Sequence, residues 1–145
     1  MSRSFTSIIW VWNFDGEERK VGYIYSLGKA LEDLTLSQAQ QKECSYDWIY
    51  DDLYLPFSSA YDQFLSGNVL LYAPLDLQFS LSKISQSFDD LYEPERESFN
   101  RDIIEGVGWN KIRSLSREAL LQMEWEELLT YHDDLYYSSK YKFAC

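Results

Sequence analysis

The sequence predicts an α+β fold, mostly helical: an N-terminal β-hairpin, with room for one or two further short strands near 69–81, packed against about five or six helices in a single domain over 1–145. Three observations predict it. Residues 5–12 and 21–25 are dense in β-branched and aromatic types on either side of an Asp15-Gly16 turn signal. From Leu27 onward, apolar residues recur at three- and four-residue intervals. Finally, 145 residues of which 17% are aromatic carry enough apolar surface for one core, which excludes disorder over most of the chain.

The elements follow in order. Phe5–Trp12 and Val21–Tyr25 form the hairpin, and Leu27, Leu31 and Leu34 mark a helix beginning at Ser26. Ser37 with Gln40 is a capping-box pattern that starts a further turn. Ile49 and Leu53 continue in helical register and stop before Pro56, because a proline disfavours helix in the residue ahead of it. Ser58 then caps a short helix through Ala60, Tyr61, Phe64 and Leu65, with Gly67 at its C-terminal stop. Between 68 and 81 the reading is ambiguous: Val69–Ala73 is a short apolar run bounded by Pro74, while Leu75, Leu77, Phe79 and Leu81 alternate like a strand, which leaves room for one extra strand or two. Leu81, Ile84, Phe88 and Leu91 return to helical spacing before Pro94. A helix from Glu95 uses Phe99, Ile103 and Ile104 and closes at Gly106 and Gly108; the last starts at its N-cap Ser116, carries its apolar stripe from Leu121 onward and runs to about Tyr137.

The formal charge is −11, and its distribution says more than its total. Residues 43–97 hold only Lys83 and Arg96 against eleven Asp and Glu, and the same segment interleaves them with Tyr and Phe. Direct binding of nucleic acid is disfavoured, since affinity for phosphate comes from clustered Lys and Arg. Two cysteines, Cys44 and Cys145, cannot build a disulfide framework, and Cys145 closes the sequence. The start carries a single basic residue and an apolar run, Ile8–Trp12, shorter than a signal segment, and no stretch approaches the length of a membrane span. A soluble protein of the reducing cytoplasm is therefore expected.

Catalytic and metal motifs are sparse. His132, beside Asp133 and Asp134, is the one general base of the usual kind, although a lone histidine on a periodic helix is more often a core-edge residue. The sequence has no nucleophile elbow, phosphate-cradling loop or dinucleotide fingerprint. Carboxylate pairs such as Asp51 with Asp52 could meet Mg²⁺ or Ca²⁺, but the calcium-loop spacing is absent, and one histidine with two separated cysteines does not make a zinc site. No cofactor is expected.

What stands out is Cys44-Ser-Tyr-Asp-Trp-Ile-Tyr-Asp-Asp-Leu-Tyr-Leu55, with a second acidic group at Asp89, Asp90 and Glu93. The tetrad Asp-Asp-Leu-Tyr stands at 51–54, 89–92 and 133–136 with irregular spacing, and reads as a surface turn whose two Asp face water while Leu and Tyr lean inward. On a helix Asp47 and Asp51 would be like charges four residues apart, a small cost that asks for a reason other than folding. A basic partner supplies one: carboxylates steer and set register while aromatic rings anchor. The expected partner-binding residues are Asp47, Trp48, Tyr50, Asp51, Asp52, Tyr54, Asp89, Asp90 and Glu93. The expected function is a non-enzymatic acidic inhibitor, an immunity protein against a basic toxin such as a nuclease. The alternatives are a phage-type inhibitor or DNA mimic, a carboxylate enzyme assisted by Mg²⁺, and a structural subunit.

Overall fold

A computed structural model describes residues 4–44, 48–97 and 100–132, leaving aside the side chain of Cys44. Among these residues there are seven α-helices and no strand: α1 Phe5–Phe14, α2 Glu18–Thr35, α3 Gln38–Cys44, α4 Ile49–Ser66, α5 Leu75–Asp89, α6 Val107–Gln122 and α7 Trp125–Thr130. Short 3-10 helices at Leu70–Tyr72, Glu93–Arg96 and Arg101–Glu105 fill the connections. The expected α+β class is thus overturned in favour of a helical bundle. Helix α2 packs against α1, α4 and α6, while α5 lies on α6 and touches α4. Their buried apolar faces join in one cluster. No helix among the described residues is long and apolar enough to cross a membrane.

The hairpin is replaced by α1 and α2. Beneath the β-rich composition, Phe5, Ile9 and Trp12 keep intervals of four and three and are all buried, so the helix gains a continuous apolar stripe that a strand would have divided between two faces. Ser4 caps α1 through its hydroxyl, which accepts from the Ser7 N–H. Gly16, at φ 77°, turns the chain into α2, so the turn signal was genuine but joins two helices. Ser26 lies buried in the middle of α2 rather than at its start.

Other boundaries shift for similar reasons. The Ser37 hydroxyl accepts from the Gln40 N–H at 3.2 Å while the Gln40 side chain accepts from the Ser37 N–H at 3.0 Å, the reciprocal capping box the sequence predicts. Helix α4 runs straight through Pro56, whose ring removes one N–H but does not stop a helix anchored by buried Leu53, Phe57 and Ala60 on either side. Ser58 is therefore interior, and the left-handed residue after α4 is Asn68, one past Gly67. The strand expected at 69–81 is a 3-10 turn and the first half of α5. Of its alternating residues Leu77 and Leu81 are buried, whereas Leu75 and Phe79 face solvent.

Gly106 closes the 3-10 helix Arg101–Glu105, its N–H donating to the Ile103 carbonyl, and also opens α6, whereas Ser116 is buried within α6 rather than capping its successor. A Cβ on Gly106 would stand 2.1 Å from the buried Glu95 carboxylate, so glycine there admits a negative charge to the positive end of the α6 dipole. The expected last helix is two, α6 and α7, broken at Glu124, where φ is 60°. Asp47, Phe99, Asp133, Asp134 and Cys145 lie outside the described residues.

Candidate partner-binding face

Helices α4 and α5 are joined by the short connection at 67–74, and ring contacts fix how the start of one meets the end of the other. Tyr54 of α4 meets Phe88 of α5 edge-on at 5.0 Å between centroids, and Tyr50 approaches Phe88 and Trp109 of α6 at 6.5 and 6.1 Å. Tyr50 and Tyr54 stack on each other at 5.3 Å. Edge-to-face packing of this kind adds to the apolar area it buries, so the aromatic cluster holds the two acidic segments together.

The consequence is one acidic end rather than two separate sites. Asp51 and Asp52 occupy the first turn of α4, Asp89 is the last residue of α5, Asp90 its cap, and Glu93 opens the following 3-10 helix. Burial pushes the Tyr50 phenol up, and the charges of Tyr54, Asp51 and Asp89 push it the same way while Arg96 opposes them. The same phenol thus senses carboxylates from both segments. Asp52, Asp89, Asp90 and Glu93 are exposed, and Asp51 is half-buried.

The aromatic residues divide differently from expectation. Tyr50 and Tyr54 are half-buried, their rings engaged with the core; Trp48, at the N-cap of α4, is 47% exposed. Sequence reasoning missed Tyr92, 64% exposed in the turn after α5. Its signal was Pro94: a helix ending ahead of that proline leaves Tyr92 without a helical face to turn inward. The inward-leaning reading of Asp-Asp-Leu-Tyr therefore fits 51–54, where Leu53 is buried and Tyr54 half-buried, but fits only Leu91 at 89–92.

Two further residues qualify the electrostatics. Carboxylates in the first turn of α4 are favoured by the helix dipole, so Asp51 and Asp52 have a folding role as well. At the other helix end Arg96 donates to the carbonyl of Asp89, placing one guanidinium inside an otherwise acidic surface. His132 lies apart from this end, with its ring edge-on to Tyr25 at 4.9 Å. Among the described residues no group of three or more His, Cys, Asp or Glu side chains is placed to hold a metal. In comparison with known proteins, no family model matches the chain, nor does any curated protein or solved structure.

Proposed function

We propose that the chain is a non-enzymatic acidic inhibitor that works in the cytoplasm, an immunity protein whose acidic end covers the basic active surface of a toxin, a nuclease above all. The observation that carries this reading is the convergence of Asp51, Asp52, Asp89, Asp90 and Glu93 on one end of the α4–α5 pair, flanked in sequence by the exposed rings of Trp48 and Tyr92. A carboxylate surface raises the encounter rate with a basic protein, and exposed aromatic side chains supply the desolvated anchors that hold it. A pure phosphate mimic has no need of such rings, or of Arg96 among its charges.

The test uses Asp89→Lys with Asp90→Lys. Lysine at the end of α5 suits the helix dipole, so the variant keeps its fold while reversing charge at the centre of the face. Tagged wild-type chain is expected to capture from lysate of the source cells a basic protein that survives moderate salt, and to abolish its nucleolytic activity at equal molar ratio. The variant is expected to associate with that protein at least about tenfold more slowly. Capture of nothing basic, or an association rate the reversal leaves unchanged, overturns the reading.

A further inference from the structure

The outer face of α5 changes character halfway along. Its C-terminal end belongs to the acidic surface, whereas its first two turns and the 3-10 turn ahead of them expose Leu71, Tyr72, Leu75 and Phe79, three of these side chains between 67% and 75% exposed. The core is already served by Leu77, Leu81, Ile84 and Phe88 on the opposite face; of these four large apolar residues within nine positions, Tyr72 sets its ring edge-on to Trp12 at 5.7 Å, while Leu71, Leu75 and Phe79 stay largely in solvent. A contiguous apolar patch on an acidic protein marks a contact surface.

Two charges flank Phe79. Asp76 lies three residues before Phe79 and Lys83 four residues after it, and both are exposed. Lys83 makes no ion pair among the described residues. Seven residues are close to two full turns, so Asp76 and Lys83 project from the same side of the helix.

We infer that this face binds a second copy of the chain, the two α5 helices lying antiparallel across a twofold axis at Phe79. The twofold inverts height along the helix and keeps each side facing its like, so Asp76 meets the partner's Lys83 and Lys83 meets the partner's Asp76. A parallel pair would carry the two sets of charges to opposite flanks of the contact and leave them unpaired. The arrangement also resolves the repulsion between two acidic chains. Asp90 is eleven residues from Phe79, which at 1.5 Å per residue puts the two acidic ends about 33 Å apart, several screening lengths at physiological salt. The dimer thus presents two outward-facing acidic ends, a geometry that holds whatever those ends bind.

Sedimentation equilibrium on the full chain, up to several hundred micromolar, tests this. The wild type is expected to pass reversibly from monomer to dimer. Phe79→Ser, an exposed change that spares the fold, should weaken the dimer about 30-fold or more. Asp76→Lys and Lys83→Asp should each weaken it about tenfold, because two attractive pairs become repulsive. The double exchange restores both pairs and should return the affinity to within about threefold of wild type. A chain that stays monomeric throughout, a dimer indifferent to Phe79→Ser, or a double exchange that fails to rescue the single ones each overturns the proposal.

Discussion

The Glu124 carboxylate caps α1 from the far end of the chain: it accepts from the Thr6 hydroxyl at 2.6 Å and from the N–H groups of Thr6 and Phe5 at 3.1 and 3.3 Å. To reach there Glu124 takes a left-handed backbone, φ 60°, at the break between α6 and α7. One residue therefore both ends a helix and caps another. Loss of the cap costs about 1–2 kcal/mol, and a non-glycine residue in the left-handed region costs about as much again. Denaturant unfolding should accordingly place Glu124→Gly close to wild type and about 1 kcal/mol above Glu124→Ala, because glycine loses the cap but relieves the backbone. A double-mutant cycle with Thr6→Val should show coupling of about 1 kcal/mol; additive effects would mean that the bond from the Thr6 hydroxyl to the carboxylate contributes nothing.

Gly28 makes room for an indole. A Cβ there would stand 2.2–2.5 Å from the ring of Trp125, which is buried against α2 and donates its N–H to Glu32 at 3.0 Å. Helix propensity alone gives alanine an advantage of about 1 kcal/mol over glycine. Collision in a packed core outweighs it, so Gly28→Ala should destabilise by about 2 kcal/mol net and shift the tryptophan emission. Gly28→Ala combined with Trp125→Leu should recover part of that loss relative to Trp125→Leu alone. An alanine variant as stable as wild type would show that the ring moves aside freely.

Much of the core was legible where spacing alone decides. Leu27, Leu31, Leu34, Ile49, Leu53, Phe64, Ile84 and Phe88 are buried as their intervals require, and the capping box at Ser37 and Gln40 forms as its pattern demands. The hairpin misled because composition outweighed period: Phe5, Ile9 and Trp12 carry the helical interval, but Ile8, Trp10 and Val11 fill the gaps with β-forming types. The strand at 75–81 arose because Leu75 and Phe79 are apolar yet exposed, so two opposite faces of one helix read as an alternation. Of the acidic end, the residues were visible but their meeting was not. That depends on Tyr54 and Tyr50 closing on Phe88, a contact across more than thirty positions that no local pattern encodes.

Arg113 is a buried cation that meets no carboxylate among the described residues. Its guanidinium donates to the Gln41 side chain at 2.7 Å, to the Ile104 carbonyl and to the Asn110 side chain, tying α3, the turn before α6 and α6 itself together. Burial lowers its pKa, with the charge of Arg117 adding to the effect. Three acceptors in three directions need a planar fork, which an ammonium cannot reproduce. Arg113→Lys should therefore cost about 2 kcal/mol or more while conserving charge, and a loss below about 0.5 kcal/mol in urea unfolding would contradict the fork as the reason for arginine.

Asp33 predicts how stability depends on pH. Burial, reinforced by neighbouring Glu32 and opposed by Lys29, pushes its carboxyl from 3.8 up to about 6. The folded chain thus binds this proton more tightly than the unfolded chain does. The contribution is fully present below the unfolded pKa and is lost as pH rises through the folded one, so Asp33 weakens the fold progressively between about pH 4 and pH 6 and by a constant amount above. Its carbonyl, which accepts from the Gln41 side chain at 3.1 Å, is untouched by a side-chain change. Asp33→Asn should match wild type near about pH 4 and be more stable at about pH 7 by on the order of 1 kcal/mol, a figure already reduced for the partial exposure of the group. Urea unfolding of both proteins across this range measures the difference, in which the titrations of all other carboxylates cancel. Parallel curves, with no gap opening between pH 4 and 6, would show that the Asp33 carboxyl is as well solvated in the folded chain as in the unfolded one.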